Sequence, residues 1–322
     1  RYGHEVQRIE LVSEGKHAPH YAVHATDGSV TLGRSLVLAP GRTPYVPKPF
    51  EGLDRDHVVH LVEFLSAIKR LEARHPGPCR IAVVGGSQSA VEIILHLAQT
   101  MPQAMVTGFL RGFGYRMKDA SPFTGEVYFP AFVDLFYGAS KAEKQRLTGD
   151  LRLTNYSAAD ADVLDALYLE LYRQKILGER RIDIRRSTDI VTARTDGDET
   201  ELVFEQVGTE GPQSARFDLV ILATGFRNVG TAEEQERVPP LFEPLAPWAE
   251  LDADGCIDVG YDYDVKMKPA FRAAPCYLNG LCESSHGMGD AGSFSLLSLR
   301  SETIVGSLAS RIGLVEAVAN IA

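Results

Sequence analysis

The chain has 322 residues, with 33 Lys and Arg against 43 Asp and Glu, a net charge of −10, and 44 % apolar residues. This is globular composition with room for about two domains. An acidic chain is a poor partner for phosphate backbones, so no nucleic-acid partner is expected, and no 18-residue apolar run or signal-peptide pattern occurs, so no membrane span is expected.

The four cysteines (Cys79, Cys256, Cys276 and Cys282) show no CxxC spacing. They read as buried free thiols of a reducing compartment, which places the protein in the cytoplasm. No metal site is expected. The first residue is Arg1 and not Met, so the chain is expected to be processed or to begin inside something longer.

In chain order, Val6–Leu11 and Tyr21–Thr26 read as strands, with a tight turn at Asp27-Gly28, and Leu36–Ala39 reads as a buried strand. Four prolines within Pro40–Pro49 exclude a helix or central strand, so this stretch is a linker or crossover. Residues 57–75 read as a helix with Leu61, Leu65, Ile68 and Leu71 on one face. Arg80–Val84 is an apolar strand, followed by a Gly turn, an amphipathic helix to about Gln99 and a second strand at Val106–Leu110. That is a β-α-β unit of about 30 residues.

Residues 112–140 are irregular. Residues 140–177 read as two helical pieces broken near Leu153–Ser157, with Ser157 and Asp160 resembling a capping box for the second. Residues 181–207 are strand-like with a turn at Asp196-Gly197-Asp198. Phe217–Gly225 is another buried strand ending in Gly. Residues 228–275 are mixed loops, Cys276–Leu281 is a candidate strand, and Ser293–Ser310 reads as the final helix.

Gly85-Gly86-Ser87-Gln88-Ser89-Ala90 lies between a strand and a helix, the context a dinucleotide fingerprint requires. The free N–H groups and positive potential of a helix start suit a pyrophosphate. The usual pattern is G-x-G-x-x-G/A. Here Gly85 and Ala90 fit, but Ser87 stands at the middle glycine, adding a Cβ and a hydroxyl where backbone normally approaches the phosphates. A plain β-α turn without ligand is the alternative. Arg111 follows the second strand; an Arg there suits the 2′-phosphate of NADP, while an ordinary surface Arg is the other reading. Leu38–Gly41 and Leu222–Gly225 are similar strand ends flanking this unit. Such a pair marks crossings between two interleaved nucleotide-binding domains. No strand-GxGxxG-helix precedes residue 80, so a second dinucleotide loop is expected upstream of Arg1.

Taken together, several segments resemble the flavin-dependent N-hydroxylating monooxygenases of siderophore biosynthesis, the ornithine and lysine N-monooxygenases. They are Leu38–Pro44, Val84–Glu92, Asp119–Phe123, Leu153–Ser157, Tyr172–Lys175, Leu222–Phe226, and Ser285–Asp290 with the helix through Arg300. The resemblance implies an α/β fold of two interleaved Rossmann-like domains, for FAD and NADPH, the FAD domain incomplete at its N-terminus. The expected division is 1–44 (FAD part), 45–217 (NADPH domain with a helical insert at 140–177) and 218–322 (return of the FAD domain).

The implied activity is NADPH- and FAD-dependent hydroxylation of a primary amine by O2 through a 4a-hydroperoxyflavin, with the hard chemistry on the cofactor. Gly85, Gly86, Ser87, Gln88 and Ser89 are then cofactor contacts, Arg111 pairs with the 2′-phosphate, and Thr224 and Gly225 are further cofactor contacts. Asn155 looks like the Asn that touches both substrate and NADP ribose, a helix cap or turn residue being its other reading. Ser295 falls at a substrate-contacting Ser, with Ser293 as rival because this chain is one residue longer there. His286 is placed near the flavin or is a satisfied structural histidine. A homo-oligomer is left open.

Three departures bear on function. The FAD loop and the substrate-contacting Lys that lies with it are absent, Ser87 replaces the middle glycine, and the family's Ser-Pro-Phe-x-Asn-Glu reads Ser121-Pro122-Phe123-Thr124-Gly125-Glu126. Gly125 stands where an Asn helps hold the amino-acid carboxylate, so a diamine or other aliphatic amine is as open as ornithine or lysine. Another flavin/NADPH monooxygenase, or a non-catalytic NADP-binding remnant, is the competing reading.

Overall fold

The computed structural model of the chain describes residues 2–13, 18–291 and 293–313. It opens with β1 (Val6–Val12), β2 (His20–Ala25), β3 (Val30–Gly33) and β4 (Leu36–Leu38), then β5 (Val58–His60), α1 (Phe64–Arg74), β6 (Cys79–Val84), α2 (Gln88–Thr100) and β7 (Ala104–Phe109). Next come α3 (Pro130–Gly138), α4 (Lys141–Asp150), α5 (Ala161–Leu177), β8 (Ile182–Arg185), β9 (Thr188–Asp196), β10 (Glu199–Gln206), β11 (Gln213–Phe217) and β12 (Leu219–Leu222). The last elements are β13 (Asn228–Val229), β14 (Gln235–Glu236), β15 (Cys276–Leu278), α6 (Glu283–His286), α7 (Met288–Ala291) and α8 (Leu297–Arg311).

These elements form two units. One consists of Pro44–Thr124 and Asp150–Phe226, the other of Arg1–Thr43, Gly125–Gly149 and Arg227–Ala322. Residues 125–149, which include α3 and most of α4, thus group with the last third of the chain, where the sequence led to an unbroken span 45–217.

The first of these units, the two-segment one, is built on a parallel sheet in the order β5-β12-β6-β7-β8. A sheet buried on both faces needs apolar residues at successive positions, and Ile81, Ala82 and Val83 are all fully buried. Ile81, Val83, Leu219 and Ile221 face α1 and α2, packing on Leu71, Val91, Ile94 and Leu97. Ala82, Val220 and Leu222 face the opposite way, onto Phe204 and Phe217 of the antiparallel sheet β9–β11 and onto Phe109. Phe109 meets Phe204 and Phe217 edge-on at 5.1 and 5.8 Å.

Two expectations inside this unit are corrected. The helix expected over 57–75 starts at Phe64; Val58–His60 is instead an edge strand paired with β12. Its three residues are all buried, so it carries no alternation to separate it from the helix that follows. Ser157 does not open α5: it has φ +55° and accepts from the Arg152 guanidinium, and Asp160 holds the N-cap position.

In the three-segment unit, β1–β2–β3 form an antiparallel sheet closed at Asp27-Gly28, where Ser29 N–H donates to Asp27 Oδ1 at 2.8 Å. β4 pairs in parallel with β15, Leu38 opposite Leu278. Their core includes Tyr21, Phe242, Tyr277 and Leu281. The Tyr21 hydroxyl donates to Ala274 O at 2.7 Å, which satisfies the one polar atom on a fully buried ring. All four cysteines are free and buried. Burial pushes the Cys276 thiol up to about 12, so it stays protonated at neutral pH. Among the described residues no helix is long and apolar enough to cross a membrane.

Candidate functional site

The strand order places the site. From β6 the chain moves through α2 to β7 and then β8 on one side, while β12 and β5 lie on the other. The carboxyl end of β6 is thus the point where the order reverses, and ligands of open α/β sheets bind there. The turn Gly85–Ser87 emerges at that point. Gly85 N–H donates to Phe109 O at 3.0 Å, and Ala223 N–H donates to Val84 O at 2.8 Å, so the ends of β6, β7 and β12 are tied together. No side chain fits at Gly85: an added Cβ would overlap the Ala223 carbonyl and meet Ala223 Cβ at 3.0 Å.

Ser87 is the N-cap residue of α2, in ordinary extended backbone (φ −125°, ψ −176°), and its side chain makes no capping bond. A Cβ is therefore tolerated at the middle position of the fingerprint. Among the described residues the amides of Gly86, Ser87 and Ser89 have no acceptor. The first turn of α2 carries no acidic residue. A helix start with free N–H groups and no competing carboxylate is a ready anion site. Gln88 differs: its amide donates to Ala158 O at 3.0 Å, and its side chain is bonded to Glu92 and to the Asp160 amide.

Arg111 lies just past β7, exposed, with no ion-pair partner among the described residues. Sequence reasoning missed its neighbours. Arg186 stacks over Phe113 at 5.7 Å, and Ser187 N–H donates to Gly112 O at 2.8 Å, so a second guanidinium belongs to the same loop cluster. Asn155 ends the 3-10 turn Arg152–Thr154, half-buried, its side-chain amide unbonded among the described residues. Donors and acceptors are both left available there.

Thr224 and Gly225 have a tethering job. Thr224 Oγ1 donates to Tyr45 O at 2.5 Å, and Gly225 O accepts from Tyr45 N–H at 3.0 Å and from His60 Nε2–H at 2.8 Å. The Thr224 hydroxyl hydrogen and the Gly225 carbonyl are thus already engaged within the protein.

Residues 1–228 match the family described as L-lysine 6-monooxygenase/L-ornithine 5-monooxygenase. The chain belongs to this family. It is 34 % identical to the L-ornithine N(5)-monooxygenase of Pseudomonas aeruginosa over 313 residues, 96 % of this chain and 68 % of that protein. Identity to the Burkholderia cepacia L-ornithine N(5)-monooxygenase is 34 % over 256 residues, 79 % of this chain and 56 % of that one. The chain thus spans little more than half to two thirds of these relatives. Among solved structures, the reduced form of ornithine hydroxylase from P. aeruginosa superposes with a TM-score of 0.85 at 32 % identity, over 97 % of this chain and 72 % of that one. The Kutzneria sp. 744 ornithine N-hydroxylase with reduced FAD, NADP+ and L-ornithine superposes with a TM-score of 0.83 at 27 % identity, over 96 % and 72 %. The α/β architecture of interleaved nucleotide-binding regions is common to all three.

The remaining residues singled out by the family resemblance lie in the three-segment unit. His286 is 0 % exposed. Tyr263 stacks on its ring at 4.1 Å, and the Tyr137 ring lies 5.1 Å away. A neutral ring satisfies both nitrogens: Nε2–H donates to Tyr261 O at 3.0 Å, and Nδ1 accepts from the Ser285 hydroxyl at 2.8 Å. Burial holds its pKa below the ordinary range. Of the two places the sequence left open for His286, near the flavin or as a satisfied structural histidine, these bonds describe the second: both ring nitrogens are engaged within the protein. Ser295 is exposed, and its rival Ser293 is its partner: Ser293 Oγ donates to Ser295 Oγ at 2.8 Å and accepts from Ser295 N–H at 3.0 Å. The two serines act as one turn, just ahead of α8.

Sequence reasoning also missed Arg300, on α8. Nearly buried, it donates to Asn279 Oδ1 at 2.6 Å and to both the carboxylate and the carbonyl of buried Asp290. One guanidinium thus joins α8 to the end of β15 and to α7. Only a buried carboxylate ten residues earlier hinted at it.

Proposed function

We propose that the protein carrying this chain hydroxylates the side-chain nitrogen of a primary amine, with NADPH and FAD as cofactors, in the making of hydroxamate siderophores or related products. The observation that carries this reading is the turn at the end of β6: three amides without acceptors, at the start of a 13-residue helix, at the reversal point of a parallel sheet. These residues fit a dinucleotide pyrophosphate. NADPH held there supplies the hydride, and bound FAD supplies the activation of O2.

The chain's own residues have separable tasks. The amides of Gly86, Ser87 and Ser89 hold the pyrophosphate, and the dipole of α2 favours its charge. Arg111, free of a carboxylate partner, pairs with the 2′-phosphate and so selects NADPH over NADH. Asn155 offers its unbonded amide to the ribose and substrate. Ser295 and Ser293 present a hydroxyl pair for the amine. For FAD, β4 and β15 supply a parallel strand pair, but among the described residues no strand–GxGxxG–helix occurs. The residues described do not provide a flavin pyrophosphate site, and no step is derived through it.

Substrate choice turns on Gly125. A side chain there would meet no heavy atom within 4 Å, so no neighbouring group has filled the place of the family's Asn. A substrate carboxylate loses one donor, a cost of about 1–3 kcal/mol if it is left buried and unpaired. Diamines, which carry no carboxylate, avoid that cost.

The test uses the whole protein, including whatever its gene encodes ahead of Arg1, loaded with FAD. NADPH-dependent O2 uptake and hydroxylamine formation are measured with ornithine, lysine, putrescine and cadaverine. Hydroxylamine from at least one amine is expected. A flavin-loaded protein that yields none, but oxidises ketones or thioethers, overturns the reading.

A further inference from the structure

Gln88 was expected to touch the cofactor, yet every polar group it has is already engaged with protein. Its backbone N–H donates to Ala158 O at 3.0 Å, and its side-chain Oε1 accepts from Asp160 N–H at 2.7 Å. Residue 88 thus brackets residues 158–160 as a neighbouring strand would. The opposite edge of the same stretch is also held: Ala159 N–H donates to Arg116 O at 2.8 Å, and Lys118 N–H donates to Ala159 O at 2.9 Å. Glu92, one turn further along α2, accepts from Gln88 Nε2 at 2.8 Å. That bond fixes the amide's orientation, because only an NH2 can donate to a carboxylate, so the carbonyl end must face Asp160. Asn155 lies three residues before the bracketed stretch, and Ser157, between them, sits at φ +55°, which a non-glycine residue adopts only where neighbours enforce it.

We infer that Gln88 is a positioning residue: it makes the loop carrying Asn155 follow the pyrophosphate-binding turn, so that docking of the dinucleotide and placement of Asn155 are a single event. Gln88 stands between Ser87 and Ser89, whose free amides would take the pyrophosphate. An anion that fixes those amides fixes Gln88 too, and through its two bonds residues 158–160. The functional consequence rests on the role proposed above for the turn and for Asn155. The bracket itself rests on geometry within one unit.

The experiment is amide hydrogen exchange on the whole protein that carries this chain, with and without NADP+, for the parent protein, Gln88→Ala and Glu92→Ala. In the parent, NADP+ slows exchange in 86–91 and in 155–160 together. In Gln88→Ala, NADP+ binds within about threefold of the parent and still protects 86–91, but 155–160 no longer responds. Without ligand, the Asp160 amide of this variant exchanges up to about tenfold faster, as loss of one hydrogen bond predicts. Glu92→Ala, which only frees the amide to rotate, gives an intermediate response. If Gln88→Ala still protects both segments, the coupling is overturned. If it loses NADP+ affinity more than tenfold and responds in neither, Gln88 is a direct cofactor contact and the inference is equally overturned. If the parent binds no NADP+, the proposed function fails instead, while the ligand-free exchange at Asp160 still decides the bracket.

Discussion

Gly85→Ala isolates the close approach at the reversal point of the parallel sheet. Its Cβ would meet Ala223 Cβ and the Ala223 carbonyl carbon at 3.0 Å, and overlap the carbonyl oxygen. Carbon atoms pack at about 3.5–4.0 Å, so the ends of β6 and β12 must part by up to about 1 Å. Two hydrogen bonds flank the contact, Gly85 N–H to Phe109 O and Ala223 N–H to Val84 O. Overpacking costs about 1–3 kcal/mol, and each weakened bond adds about 1 kcal/mol, for a total of about 3–5 kcal/mol. In a unit of this size that lowers the melting midpoint by roughly 10 °C. Gly86→Ala is the control: its Cβ would have Leu110 Cβ at 3.8 Å as nearest neighbour, an ordinary contact, so a change within about 0.5 kcal/mol is expected. Thermal melts followed by far-UV circular dichroism compare the two. Equal midpoints for both variants would refute the steric reasoning.

Arg111→Ala is expected to weaken NADP+ binding about 10- to 100-fold, the loss of a charge-assisted bond, while NAD+ binding stays unchanged; titration calorimetry that finds both weakened equally would remove the 2′-phosphate from its role. Tyr115 has a buried hydroxyl with no hydrogen-bond partner among the described residues, so Tyr115→Phe should be neutral or stabilising by about 1 kcal/mol, and a lower denaturation midpoint would show a bond that the geometry lacks. Burial lowers the pKa of both His60 and His286. The unfolded chain then binds more protons below about pH 6.5, so stability is full above that value and is lost as pH falls through the folded values. Urea midpoints should drop between about pH 7.5 and pH 5.5, and less steeply in His286→Phe and in a His60 variant; a pH slope unchanged from the parent in both variants would contradict this.

The β-α-β unit was legible because its signals are local: an apolar strand, a glycine turn and an amphipathic helix within Cys79–Phe109. β5 was not, because Val58-Val59-His60-Leu61-Val62 reads as one apolar run on either periodicity. The placement of 125–149 was illegible for a different reason. It is set by contacts with residues more than a hundred positions away, such as Phe132 closing over Gly287, where an added Cβ would lie 2.7 Å from the ring. Within the site, glycines, serines and Arg111 could be found from motif and position. Gln88 could be found too, but its task could not. Residues 158–160 carry no pattern that announces a partner on α2, and a side-chain amide that mimics a strand edge leaves no periodic trace.

The pairing of β4 with β15 has a consequence for synthesis. Leu36–Leu38 leaves the ribosome about 240 residues ahead of Cys276–Leu278, which at roughly 5–20 residues per second is a wait of some 12–50 s. During that wait all of Pro44–Phe226 is made, so the parallel sheet β5-β12-β6-β7-β8 has time to form first. The waiting strand is only three residues long, too short to template a neighbouring nascent chain. Its brevity is a safeguard of the kind expected where a strand's partner arrives last.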